Sequence, residues 1–150
     1  MSIEDDVKLL STVPTLRLLG VEALRVLAIG AELRNVRRDE TLFQAGEAGD
    51  CGFVVRDGAI RVSSEEGGGY RDVVAGPGHL IGELSLVVDM PRPATAVAIA
   101  DSTIIRISRS LFQRVLESHP DAAQRLRDYF ATRTGQAASE MLIASGKLSE

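Results

Sequence analysis

Apolar residues recur at two different periods along this chain, and the change of period divides it into three parts. From Ile3 to Leu10, and then at Leu16, Leu19, Val21, Leu24, Leu27 and Ile29, the spacing is helical, with Arg17, Glu22, Arg25 and Glu32 between them. Thr12-Val13-Pro14 breaks the run, so two helical pieces are expected over about residues 3–34. From Thr41 the texture becomes short alternating segments separated by glycine turns. Phe53–Arg56 and Ala59–Ser63 flank Asp57-Gly58, a tight-hairpin signal, and Glu65-Glu66-Gly67-Gly68-Gly69 reads as a hairpin tip before Tyr70–Val74. Ala94 to Ala100 alternates very small and larger residues, as a strand buried on both faces would. Ser102–Ser108 carries Ile105 and Ile107 on one face. The helical period returns at Ser110–Leu116 and again from Asp121 through Leu126, Tyr129 and Phe130, with Gly135 as a weak point and Met141-Leu142-Ile143 as a late apolar cluster.

Many short strands between helices predict an α+β chain built on an antiparallel β jelly-roll-like barrel. The strands span about residues 36–108 and the C-terminal helices about residues 109–145. A length of 150 residues fits a single domain over residues 1–150.

Composition then removes several classes. At 45% hydrophobic and 25% charged, the chain is that of an ordinary globular protein. A net charge of −4 gives no footprint for nucleic acid, and the Arg34, Arg37, Arg38 cluster is interleaved with Glu32, Asp39 and Glu40. No apolar run approaches the length of a membrane helix, and the acidic start lacks a leader's apolar core. The lone Cys51 excludes an internal disulfide and fits a reducing, cytoplasmic setting. With only His79 and His119, and no metal-ligand spacing or nucleophile elbow, neither a metal site nor catalysis is expected.

One stretch carries costly residue types. Gly82-Glu83-Leu84-Ser85-Leu86 is followed, after a short spacer, by Arg92-Pro93-Ala94-Thr95. A carboxylate and a guanidinium in apolar surroundings are each expensive unless paired or put to use. Gly82 lets backbone approach a ligand closely, and Glu83–Leu86 reads as one helical turn whose free N–H groups favour an anion. Arg92 offers a fork that matches two phosphate oxygens, and Glu83 can accept from neutral hydroxyls. A small ligand holding both a sugar and a phosphate would satisfy the pair. The bland alternative is a structural ion pair between Glu83 and Arg92.

The stretch over residues 82–96 resembles the phosphate-binding cassette of cyclic nucleotide-binding domains, as in catabolite activators and protein kinase A regulatory subunits. The earlier Leu42-Phe43-x-x-Gly46-x-x-Gly49-Asp50 resembles the first strands of the same domain, and the likeness covers roughly residues 10–130. It implies that Glu83 holds the ribose 2′-hydroxyl and Arg92 the cyclic phosphate, while Gly82, Leu84, Ser85 and Ala94 shape the pocket and Thr95 occupies the family's threonine or serine position. By the same analogy Val62, Val74 and Ile81 border the base. Tyr129, Phe130, Met141 or Leu142 would be residues of a C-terminal helix that closes over the barrel mouth.

The sequence departs from the family at Pro93, which has no N–H for the phosphate and no hydroxyl to favour guanine. The missing hydrogen bond is worth about 1.5–3 kcal/mol. The ligand implied is cAMP more than cGMP, with no separate cofactor and no direct nucleic-acid contact. Only about 20 residues follow Tyr129-Phe130, so a DNA-binding unit is not expected within this chain and the output would pass to an unnamed protein partner. Self-association through the C-terminal helix stays open. The alternative function is a degenerate cyclic nucleotide-binding fold that serves as a ligand-free interaction module.

Overall fold

A computed structural model describes residues 2–66 and 69–134. Three helices lead into ten strands, and two helices follow them. α1 (Ile3–Ser11) starts at a capping box in which the Ser2 hydroxyl takes the Asp5 N–H and the Asp5 carboxylate takes the Ser2 N–H. α2 (Pro14–Arg17) opens on proline, whose missing N–H costs nothing in a first turn, and α3 spans Val21–Gly30. The N-terminal part is thus three helical pieces rather than two, with the second break at Gly20.

The strands are β1 (Glu32–Val36), β2 (Thr41–Phe43), β3 (Ala48–Gly49), β4 (Cys51–Asp57), β5 (Ile60–Glu66), β6 (Gly69–Ala75), β7 (Leu80–Ile81), β8 (Met90–Pro91), β9 (Thr95–Ala98) and β10 (Ser102–Ser108). Helical structure therefore ends at Gly30, short of the expected 34. Glu32–Val36 pairs antiparallel with β10 as a largely exposed strand, whose mixed polarity carries no clear period. One sheet runs β1-β10-β4-β7, a second β2-β9-β5-β6, and β3 pairs with β8. All pairings are antiparallel, and the three sheets form the expected jelly-roll-like barrel.

Asp57-Gly58 does not close a hairpin. β4 pairs with β10 and β7, and β5 with β6 and β9, so this turn carries the chain from one sheet to the other. A residue pair that favours a tight turn specifies the bend and leaves the partner strand open.

Two apolar cores result. Inside the barrel lie Val36, Phe43, Phe53, Val55, Ile60, Val62, Ile81 and Ile104, with Ala94, Ala96 and Ala98 taking little volume. On the outer face of the first sheet, Val54, Ile105 and Ile107 meet the helices through Leu10, Leu16, Leu24, Leu27, Leu111 and Phe112. Ile105 and Ile107 share that face as expected, two residues apart on one side of a strand. The strand buried on both faces is β4, whose first five residues are all shielded. In β9 only alternate residues are fully covered. The apolar stripe on α3 is Leu24 and Leu27, whereas Val21 and Ile29 face solvent.

α4 (Arg109–Ser118) is capped by the Ser108 hydroxyl, which takes the Leu111 N–H. α5 (Pro120–Thr134) starts on proline next to the expected Asp121. Gly135, Met141, Leu142 and Ile143 lie outside the described residues.

Candidate anion site in the barrel

The cassette begins where β7 ends. Gly82 adopts left-handed backbone angles (φ 78°, ψ 36°), which turns the chain into a 3₁₀ turn over Glu83–Leu86. The turn is held by Ser85 N–H to Gly82 C=O at 3.1 Å and Val88 N–H to Leu84 C=O at 2.9 Å. On the returning side, the Arg92 N–H donates to Glu47 C=O at 2.7 Å and the Arg92 C=O accepts from Gly46 N–H at 2.8 Å. The returning end of the cassette is thereby tied to the Gly46-Glu47 turn.

The Arg92 side chain turns inward and is only 5% exposed. Its guanidinium carbon stands 4.3 Å from the centroid of the Phe43 ring and 5.7 Å from that of Phe53. It donates to the Ser85 hydroxyl at 3.2 Å and to the Cys51 thiol at 3.3 Å. Two glycines make room for it. A Cβ on Gly82 would lie 2.5 Å from Nη1, and one on Gly49 would lie 3.0 Å from Nε and 2.5 Å from Ser85 Oγ. Among the described residues, no carboxylate reaches this guanidinium. A buried cation whose acceptors are a hydroxyl, a weakly accepting thiol and an aromatic face leaves positive potential uncompensated. Burial is the leading cause that raises the Cys51 thiol above its ordinary value of 9.0, with the nearby Arg92 charge opposing it, so the thiol is neutral.

Glu83 does not pair with Arg92, so the structural ion pair is not formed. Its carboxylate instead accepts a hydrogen bond from the Thr15 hydroxyl on α2. Leu84 is half-buried on the outer side of the turn, and Ser85 is buried beside Arg92. Arg109, at the start of α4, reaches back to the cassette and donates to Ser85 C=O at 2.9 Å, to Val88 C=O at 3.1 Å and to Gly49 C=O. These bonds fasten α4 to the cassette and to β3.

A family model for the cyclic nucleotide-binding domain matches residues 33–119. This chain belongs to that family. A cyclic nucleotide-binding-like protein from Brucella abortus is 38% identical, with 75% of this chain and 98% of that chain covered and a TM-score of 0.66. The N-terminal domain of a Streptomyces coelicolor transcriptional regulator is 29% identical, with 89% and 94% covered and a TM-score of 0.77. A cyclic nucleotide-gated potassium channel of Mesorhizobium japonicum is 30% identical over 132 residues, which are 88% of this chain and 36% of the channel. The chain spans about a third or less of the length of the curated relatives it matches.

Of the expected residues, Gly82 and Ser85 lie against the Arg92 guanidinium, and Ala94, Val62 and Ile81 are buried in the barrel core. Val74 does not join them. It stands opposite the exposed Arg61 on the outer face, 52% exposed, while Val73 stands opposite the inward Val62. The family analogy points one residue away from the inward position, and in a strand one residue is the difference between the two faces. Thr95 also faces outward, and its hydroxyl accepts from Ala45 N–H at 2.9 Å, which ties the Gln44 turn to β9. Pro93 is exposed.

Of the aromatic pair on α5, Phe130 lines a groove of about 960 Å³ with Leu84 and Val87 of the cassette and Leu116, Ala123 and Leu126 of the helices. Tyr129 contacts Phe130 edge-on, with centroids 5.6 Å apart. Met141 and Leu142 lie outside the described residues. Thr15, Arg109 and Cys51 contact the cassette, and sequence reasoning does not find these contacts, because no local spacing marks them. No described helix is long and apolar enough to cross a membrane.

Proposed function

We propose that this domain is a cytoplasmic, non-catalytic sensor of a purine cyclic nucleotide, cAMP more than cGMP. Arg92 takes the cyclic phosphate and Glu83 the ribose 2′-hydroxyl. The observation that carries this reading is Arg92 itself, buried and without a carboxylate partner among the described residues. A phosphate would replace a weak thiol acceptor with charged oxygens, and charge-assisted bonds are roughly twice as strong as neutral ones. The N–H groups of Glu83 and Leu84, the first two of the 3₁₀ turn, add the polarity an anion needs. Preference for adenine rests on Pro93, which offers no hydroxyl to a guanine.

The response is a population shift. Ligand anchored on the cassette bears on Leu84 and Val87, which face α4 and α5 across the groove, so the state that brings α5 toward the ligand gains affinity. The output passes to a protein partner through those helices. Thermal unfolding with cAMP, cGMP and open-chain 5′-AMP tests the reading. Either cyclic nucleotide at a hundred times its Kd should add about 2.7 kcal/mol of stability, and 5′-AMP far less. An unchanged melting temperature with both cyclic nucleotides would overturn it.

A further inference from the structure

Thr15 lies on α2, 68 residues before Glu83 in the chain, and its hydroxyl donates to Glu83 Oε2. The residue is 4% exposed and sits between Val13 (4%) and Leu16 (0%), so the donor is fixed by the helical core. Among the described residues it is the one hydrogen-bond donor to this carboxylate. A carboxylate has two oxygens and about four acceptor sites, so one hydroxyl at Oε2 leaves Oε1 free to accept.

We propose that Thr15 is a positioning residue for ribose recognition. It fixes the Glu83 carboxylate in one rotamer, occupies one oxygen and presents the other to the 2′-hydroxyl of the bound nucleotide. The proposal rests on the reading of Glu83 as the ribose acceptor. A glutamate on a short turn otherwise has three side-chain torsions to order when ligand arrives, and an acceptor already held in place binds with a smaller ordering cost. The N-terminal helices thereby become part of the nucleotide site, although they lie in the helical core on the other side of the barrel wall.

The test is calorimetric titration of wild type, Thr15→Val and Thr15→Ser with cAMP and cGMP and with the 2′-deoxy analogue of each. Valine keeps the shape and removes the donor; serine keeps the donor. For the nucleotide that wild type binds, Thr15→Val should weaken the ribo form about five- to tenfold and leave the 2′-deoxy form within about twofold, while Thr15→Ser matches wild type. Equal weakening of both forms, no change in either, or tighter binding of the ribo form overturns the positioning role. If Thr15→Val fails to fold, a Thr15→Ser that folds but loses the preference for the ribo form also overturns it. Wild type that binds ribo and 2′-deoxy forms equally removes the Glu83 reading itself, and wild type that binds no cyclic nucleotide removes both.

Discussion

Arg56 and Arg92 are both largely shielded from water, and their surroundings differ in one respect. Arg56, on β4, faces the Asp6 carboxylate of α1 with Nε 3.4 Å from Oδ1, and the two side chains are 10% and 12% exposed. Arg92, 5% exposed, faces a thiol, a hydroxyl and two phenyl rings. The first charge is matched inside the chain and fastens a helix to the barrel. The second meets no carboxylate among the described residues. Burial alone does not separate a structural arginine from one kept for a ligand; on the proposed reading, the counter-charge does.

Crossed substitutions give the largest effect and can break this contrast. Arg92→Ala should weaken cyclic nucleotide binding by about 3 kcal/mol or more, at least a hundredfold by calorimetry, with a smaller change in melting temperature than Asp6→Ala. Asp6→Ala leaves Arg56 shielded and unpaired. It should cost about 3 kcal/mol of stability, a fall of roughly 6–12 °C by calorimetric melting, with nucleotide affinity retained. If Asp6→Ala removed binding and Arg92→Ala removed stability, the two roles would be reversed.

Smaller changes sharpen the Arg92 side. Gly82→Ala places a methyl group 2.5 Å from Nη1 on a residue at φ 78°. It should cost about 1–2 kcal/mol of stability from backbone strain alone and weaken binding further by moving the guanidinium, read by melting and titration together. Pro93→Ala restores an N–H beside the anion and should tighten binding by about tenfold, read by titration.

The smallest effect concerns Cys51. Its thiol is raised above 9.0 in the folded state, chiefly by burial. A raised value means the folded chain holds the proton more tightly, so this contribution is intact below pH 9.0 and is lost as pH rises through the folded value. Denaturant titrations at pH 8 and pH 10 should show an alkaline loss of stability in wild type that is smaller in Cys51→Ala.

The cassette was legible in the sequence because a carboxylate and an arginine in apolar surroundings are costly unless paired or put to use, and because their order around Gly82 resembles the family's pattern. The barrel was legible from the change of period at Thr41 and the helices from apolar spacing and caps. What the sequence withheld were relations across space. Asp57-Gly58 announces a bend but not that it crosses between sheets. Val73 and Val74 are equally apolar, and only the β5 register tells which one faces in. Thr15 and Arg109 act 68 and 24 residues away in the chain, on Glu83 and on the Ser85 carbonyl, and no periodicity encodes such contacts.

The most direct test of the central claim is a paired calorimetric titration of wild type and Arg92→Ala with cAMP and with cGMP. The expected result is saturable one-site binding to wild type, micromolar or tighter, and no measurable heat from Arg92→Ala at the same concentrations. No heat from wild type at about 100 μM protein, or equal affinity in the two proteins, would contradict the assignment of Arg92 as the phosphate seat.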